Sequence, residues 1–196
     1  MKLRVTVDNR GGAVKAKAGS RGDSRDADYN VDPGSGRYKK MTRTLSETSG
    51  SGAAQISSAL ETTSEFVGFV KDSYECDSLA FRSVGTIRLP SDAAAEALGV
   101  VQDSIALGFR VERACRVHLT ATVLSDMDVA EVKLTGPGVK DGAVRVFDDF
   151  DDEVEISKPG DYELRGAYQL SVRTPNPGLG GRPISVEMSA TLKPVG

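Results

Sequence analysis

The sequence contains no tryptophan, one histidine and two cysteines, and these scarcities exclude several kinds of site. Two cysteines are too few for a disulfide framework, and Cys76 and Cys115 lack the paired spacing of a structural zinc site. Two alternatives stay open for them, one disulfide bridge or two buried thiols. His118, between Val117 and Leu119, is expected on the polar side of a strand, without the partner that a catalytic histidine needs.

Long apolar runs and a large excess of one charge are also absent. No apolar stretch reaches the roughly 18 residues that span a bilayer, so we expect no membrane span. The 28 acidic and 25 basic residues leave a net charge of −3, which argues against nucleic acid as a partner. No phosphate-binding loop, dinucleotide fingerprint, zinc-protease motif or nucleophile elbow occurs, so we expect a protein that is not an enzyme.

Alternating apolar residues dominate the C-terminal half. This period of two is typical of strands with one buried face, and it occurs at residues 105–111, 117–123, 130–134, 144–146, 154–156, 162–164, 168–172 and 184–192. Turn-forming segments such as SDMD, GPGVKDG and PNPGLGG separate the runs, and such short connections favour antiparallel pairing. The pattern predicts an all-β fold, an antiparallel two-sheet β-sandwich with Greek-key or jelly-roll-like connections.

We expect a single domain over residues 1–196, with its best-defined strands at 105–196. The N-terminal part, residues 1–104, has a weaker pattern that begins with an alternating strand at residues 3–7. Residues 19–36 are almost free of apolar side chains and rich in Gly, Asp and Ser, which predicts a mobile loop.

One short helix is predicted at residues 91–99, SDAAAEALG. Ser91 or Asp92 is placed to cap the first amides, alanine has the highest helical propensity, and Gly99 is a typical helix stop. The segment is too short to be more than a connector.

The stretch FDDFDDEVEISKPGD, residues 147–161, is strongly acidic and ends in a Pro-Gly turn. We expect it to form a hairpin tip between Val146 and Val154. Calcium takes about six to eight oxygen ligands, and this composition allows them, although the spacing differs from that of the EF-hand loop. A solvated tip is the alternative. The predicted calcium ligands are Asp148, Asp149, Asp151, Asp152 and Asp161.

The segment KPGDYELRGAYQLSV resembles a pattern of bacterial secreted β-sandwich domains, in which leucine, any residue, Pro-Gly, any residue and Tyr lead into an alternating strand. Here Ile156 stands in place of leucine, and Pro159, Gly160 and Tyr162 complete the pattern. IALGFRVERACRVHLTATV and VAEVKLTGPG are similar to companion strands in proteins with a PEP-CTERM sorting tail, and more distantly in pre-peptidase C-terminal domains. The resemblance implies a non-catalytic protein that is extracellular or at the cell surface, although KLRVTVD has no apolar core of a signal peptide.

Three classes of function remain. The first, which we favour, is a non-catalytic extracellular binding or structural protein with a protein or glycan partner, stabilised by calcium if the acidic stretch binds it. The second is a carbohydrate-binding module or glycoside-directed enzyme, which would need exposed Tyr and paired carboxylates on a concave face. The third is a phage or virion structural protein that forms oligomers through its edge strands or N-terminal arm.

Overall fold

A computed structural model describes residues 1–19, 24–31, 40–92, 94–125, 130–175 and 181–195. These residues form two packed antiparallel sheets, so the predicted all-β two-sheet sandwich is confirmed. Their helical segments are two single turns of 3-10 helix, at Gly52–Ala54 and Lys140–Gly142. Within the described ranges, no helix has the length and apolar character needed to cross a membrane.

The chain forms thirteen strands over the described residues. They are β1 (Leu3–Ala18), β2 (Ser24–Val31), β3 (Lys40–Ser49), β4 (Ile56–Val67), β5 (Glu75–Cys76), β6 (Ser78–Arg88), β7 (Ala97–Val111), β8 (Cys115–Ser125), β9 (Ala130–Thr135), β10 (Ala143–Val146), β11 (Asp149–Ile156), β12 (Gly160–Thr174) and β13 (Pro183–Pro194). The first sheet has the order β10-β9-β12-β7-β1-β2, with β5 beside the start of β1. The second sheet has the order β11-β8-β13-β6-β4-β3.

Strands β6 to β13 form a jelly roll. Successive strands alternate between the two sheets, except at the β9–β10 hairpin, so that one sheet contains β11-β8-β13-β6 and the other β10-β9-β12-β7. This order is that of two Greek keys wound into a double sheet. Strands β1 and β2 extend one sheet of the roll, and β4 and β3 extend the other.

The apolar core lies between the sheets. Alternate residues of the strands point inward, and Ile105, Leu107, Leu119 and Leu164 are fully buried. Burial of each such side chain contributes about 1.5–3 kcal/mol relative to its exposure, which makes this layer the main source of stability. The alternation predicts the C-terminal strands well because each has one inward and one outward face.

An ion pair interrupts the core. The register of β1 against β7 shifts between Val5 and Val7, so the inward positions of β1 change there from odd to even numbers. As a result Asp8 and Arg10 point inward, each with 1% of its surface exposed. The Arg10 guanidinium donates hydrogen bonds to the Asp8 carboxylate. The pair compensates both charges, without which burial of either would be very costly.

A buried hydrogen-bonded cluster joins the two sheets. Asp103 of β7 accepts hydrogen bonds at Oδ2 from Thr62 of β4 at 2.8 Å and from Ser83 of β6 at 2.6 Å. The Ser83 hydroxyl also lies 3.0 Å from the hydroxyl of Tyr168 in β12. Because these polar groups are satisfied by partners in the opposite sheet, the cluster favours one relative position of the two sheets.

The short helix predicted at residues 91–99 is wrong. The Asp92 carboxylate accepts a hydrogen bond from the Ala94 amide at 2.9 Å in a turn, and β7 already begins at Ala97. Ala97 and Val101 are buried between the sheets, and β7 pairs with both β1 and β12. Tertiary pairing therefore overrides the helical propensity of the alanines.

The loop predicted at residues 19–36 contains a strand. Strand β2 pairs antiparallel with β1, with Ala27 opposite Val14. The rest of the predicted loop after Gly19, residues 20–23 and 32–36, lies outside the described residues. Of the two alternatives for the cysteines, the structure has two thiols, because Cys76 and Cys115 are both unbridged.

Candidate functional site

The acidic stretch is not a hairpin tip. Val146 ends β10 in the first sheet, Asp149 begins β11 in the second, and Phe147 and Asp148 carry the chain between them. Strand β11 pairs with β8 and forms an edge of its sheet. Most of the acidic residues therefore lie within an edge strand, where charged side chains oppose pairing with another chain.

Two of the five predicted calcium ligands have side-chain partners from other strands. Oδ1 of Asp151 lies 2.6 Å from Nε2 of His118 and accepts a hydrogen bond from the Thr120 hydroxyl at 3.1 Å. Asp161 lies in β12 of the other sheet, where it accepts two hydrogen bonds from the Arg110 guanidinium at 2.9 and 2.7 Å. The sequence stretch does not bring Asp151 and Asp161 together in the fold.

The other three predicted ligands, Asp148, Asp149 and Asp152, are exposed at the beginning of β11. The Asp152 carboxylate accepts a hydrogen bond from the amide of Glu153 at 2.7 Å. Over the described ranges, no group of three or more potential metal ligands occurs. The calcium site stays a prediction, and Asp148 and Asp149 are the carboxylates best placed to test it.

Hydrogen bonds lower the pKa of both paired carboxylates. The pKa of Asp151 lies below its ordinary value chiefly because His118, and then Thr120, bonds to it. The pKa of Asp161 is lowered chiefly by its hydrogen bonds to Arg110. Both carboxylates are ionised at neutral pH and already have hydrogen-bonding partners, with which a bound cation would compete.

The contact between His118 and Asp151 connects the neighbouring strands β8 and β11. His118 and Thr120 both bond to the same oxygen of Asp151, so the imidazole does not activate the Thr120 hydroxyl. In a nucleophilic triad the base lies between the nucleophile and the acid, whereas here the acid, Asp151, lies between His118 and the Thr120 hydroxyl. The expectation that His118 lies on the polar side of its strand agrees with its 32% exposed side chain.

An open cleft of about 1260 Å³ lies beside the β10–β11 link. We call it the end cleft, and it is bounded by Leu124, Glu131, Phe147, Tyr168, Gln169 and Glu187. Leu124 and Phe147 are 54% and 64% exposed, whereas Tyr168 is buried. The cleft thus combines two exposed apolar side chains with carboxylate and amide groups.

Strand lengths explain the position of the end cleft. Pairing between β9 and β12 ends where Ala130 lies opposite Tyr168, while β12 continues to Thr174. Pairing between β8 and β13 ends where Ser125 lies opposite Val186, close to the beginning of β13. The described parts of β8 and β9 therefore both end at this side of the sandwich, beside the end cleft.

Phe147 is the residue that the sequence reasoning missed. Its neighbour Val146 is buried, so the alternation of the strand places Phe147 on the outward face, although large apolar residues are more often buried. The missed signal is its place between Val146 and a run of aspartates, where the chain changes sheets. Exposed large apolar groups beside a concave surface mark a ligand or partner contact.

No protein-family model matches the chain, and no curated protein matches it at a significant level. The functional argument therefore depends on the chemistry of the cleft.

Proposed function

We propose that the chain is a non-catalytic binding protein that holds a carbohydrate in the end cleft. The observation that carries this proposal is the exposed ring of Phe147 beside Leu124, within a concave surface lined by carboxylates and an amide. Sugars present apolar C–H faces that pack on aromatic rings, and hydroxyl groups that bond to carboxylate and amide oxygens. The apolar C–H faces and the hydroxyl groups of a sugar thus both have suitable contact groups in the cleft.

The charge of the lining favours neutral sugars. Glu131, Asp148 and Glu187 contribute three carboxylates, which accept hydrogen bonds from hydroxyl groups. Arg82 lies 2.7 Å from Glu187 and Arg145 lies 3.9 Å from Glu131, so the negative charge that repels anionic ligands is chiefly that of Asp148. Gln169 adds an amide that both donates and accepts. An uncharged oligosaccharide is therefore the ligand class that we propose, and the secreted location that the resemblance implies would bring the protein to such glycans.

Glycoside hydrolysis is the competing activity at the same place, because two suitably spaced carboxylates can cleave a glycosidic bond. Chromatography of an oligosaccharide incubated with the protein distinguishes the two. We expect the ligand to be recovered uncleaved. Release of shorter sugars would make the chain an enzyme and overturn the non-catalytic part of the proposal.

Assembly through sheet edges is the competing structural function. The edge strand β11 carries Asp149, Asp151, Asp152 and Glu155 among its eight residues. Two such edges would bring like charges together and repel. This edge therefore argues against pairing between identical copies.

The test compares Phe147→Ala with the matched control Val67→Ala, which removes an exposed apolar side chain outside the cleft. Neutral oligosaccharides are screened on an array, and the best ligand is measured by calorimetry. We expect Phe147→Ala to weaken binding roughly tenfold, equivalent to about 1.4 kcal/mol, and Val67→Ala to bind like the wild type. Equal affinity in the two variants, or no neutral ligand at all, would refute the proposal.

A further inference from the structure

A second pocket, of about 610 Å³, lies at the bulge of β1. We call it the bulge pocket, and it is lined by Arg4, Thr6, Val7, Tyr74, Arg110 and Asp161. It is far from the end cleft, because Asp161 and Tyr168 are separated along β12 by roughly 23 Å at about 3.3 Å per residue. Bulges occur frequently beside binding sites, where they redirect side chains.

Two arginines from neighbouring strands line this pocket. Arg4 of β1 is directly opposite Arg110 of β7. Arg110 uses its Nε and Nη2 atoms to bind Asp161, which leaves Nη1 outside that pair. Like charges directly opposite each other destabilise a sheet, so the arrangement has a cost in the absence of an anion.

Arg4 has no ion-pair partner among the described residues. Its neighbour on the other side is Glu75 of β5, which keeps its negative charge but does not line the pocket, and whose carboxylate accepts a hydrogen bond from Ser73 at 3.2 Å. Asp8 also lines the pocket, but Arg10 compensates its charge, so Arg4, Arg110 and Asp161 leave one net positive charge among the lining residues, although the whole chain carries −3. The bulge pocket is therefore locally attractive to an anion.

Tyr74 supplies a ring at the rim. Its φ of 56° lies in the left-handed region, which is uncommon and strained for a residue of this size. The conformation is held by the hydrogen bond from the Val5 amide to the Tyr74 carbonyl at 2.8 Å and by edge-on packing against Phe69, with ring centroids 6.3 Å apart. The ring nevertheless stays 42% exposed.

We propose that the bulge pocket binds a small carboxylate carried on a ring, with Arg4 and Arg110 facing the carboxylate and Tyr74 facing the ring. The guanidinium fork matches a carboxylate in shape and charge, and an aromatic face packs against a sugar ring or an aromatic ring. Thr6 and Asp161 offer hydrogen-bonding groups to substituents of the ring. This site and its ligand class are separate from the neutral glycan proposed for the end cleft.

The exposure of the charged groups sets the expected strength. The Arg110 and Asp161 side chains are 47% and 57% exposed, so water and salt compete for them. We expect a dissociation constant of about 1 mM for a monovalent ligand, corresponding to about −4 kcal/mol. The affinity should fall as salt is added, because the attraction is largely electrostatic.

The experiment is an NMR titration of the isotope-labelled full chain with glucuronate, benzoate and acetate. Glucuronate represents a sugar acid, benzoate an aromatic acid, and acetate the carboxylate without a ring. We expect glucuronate, benzoate or both to shift the amide signals of Thr6 and Tyr74. The dissociation constant from these shifts should be at least about fivefold lower than that of acetate. The ring acid that binds more tightly shows whether the pocket prefers a sugar acid or an aromatic acid.

Three variants complete the test. Arg4→Gln removes the unpaired cation, and Tyr74→Asn removes the ring while retaining a residue that tolerates positive φ. Arg43→Gln removes an equal charge from an exposed position of β3, outside the pocket. We expect the first two to weaken ring-acid binding roughly tenfold and Arg43→Gln to leave it unchanged.

Binding of acetate as tight as that of both ring acids, or full affinity in Arg4→Gln, would overturn the proposal. The signals of Phe147 and Leu124 are followed in the same spectra, since they report on the end cleft. Ring-acid binding that survives in Phe147→Ala separates this site from the proposed glycan site, so either proposal can fail alone.

Discussion

Nε2 of His118 in β8 lies 2.6 Å from Oδ1 of Asp151 in β11. On the neighbouring positions of the same two strands, Arg116 bonds to Glu153 at 2.9 Å. Strand β11 is an edge strand with β8 as its neighbour in the sheet, so these contacts help to hold it there. The single histidine of the chain and its acidic stretch are thus parts of one strand pairing.

The contact predicts an acid-sensitive contribution to stability. Because the pKa of Asp151 is lower in the folded chain than the ordinary value of about 3.9, this contribution is fully present above about pH 4 and is lost as the pH falls through the folded pKa. We expect Asp151→Asn to reduce the decrease in Tm between about pH 5 and pH 2. Calorimetry across this range measures it.

Asp152→Asn is the matched control for that experiment, since the Asp152 carboxylate bonds only to the adjacent Glu153 amide. It should follow the wild-type pH profile more closely than Asp151→Asn does. Identical profiles for Asp151→Asn and the wild type would show that the contact with His118 contributes nothing to folding.

The buried pair of Asp8 and Arg10 predicts a strong non-additive effect. Arg10→Met leaves the Asp8 carboxylate in the core without its counter-charge, and we expect a loss of about 3–5 kcal/mol in the free energy of unfolding. The double variant Asp8→Leu with Arg10→Met replaces the pair by apolar groups and should recover most of that loss. Urea denaturation of the three proteins measures the difference.

Additive destabilisation would contradict this interpretation of the ion pair. If the double variant were less stable than Arg10→Met by the full cost of Asp8→Leu alone, the two charges would not be coupled in the folded chain. The single variant Asp8→Leu completes this double-mutant cycle.

Strands β8, β9, β12 and β13 were predictable because their alternation agrees with their burial, whereas β6 was not predicted and the beginning of β7 was predicted as a helix. Strand β1 was predicted only at its beginning. The bulge after Val5 moves the inward positions to Asp8 and Arg10, so charged residues occupy positions where alternation predicts apolar ones. Strand β2 was missed because its composition is that of a loop. It forms a strand by pairing with β1.

The candidate sites were much less predictable than the fold. Asp161 and Arg110 are neighbours only because β12 pairs with β7, and no local pattern in the sequence indicates that pairing. Phe147 is exposed only because β10 and β11 belong to different sheets. Sites composed of residues from several strands require the strand order, which the alternation of apolar residues does not determine.

The two thiols should react very differently. Burial raises the pKa of Cys76 to about 12, with a further contribution from Asp77, and burial also raises the pKa of the less buried Cys115. At about pH 8 the thiolate fraction of Cys76 is on the order of one in ten thousand, and its sulfur is enclosed. We expect only Cys115 to react with a thiol reagent in the folded chain, and both to react in urea.

Cys115→Ser provides the control for the thiol measurement. In the folded variant the remaining thiol, Cys76, should not react with the reagent until the chain is unfolded, because Cys76 is completely buried. Rapid reaction of two thiols in the native wild type would show that the region around β5 opens frequently.

The last prediction concerns calcium. A site with a dissociation constant of about 1 mM would add about 1 kcal/mol of stability at about 5 mM calcium, which corresponds to a rise in Tm of roughly 2–4 °C. We expect a smaller shift than this relative to a chelator, because Asp151 and Asp161 already have partners and belong to different sheets. A full rise that disappears in the double variant Asp148→Asn with Asp149→Asn would instead establish a cation site at the start of β11. That outcome would make the acidic edge a functional element, and calcium would then bind beside the proposed glycan cleft, since Asp148 lines both.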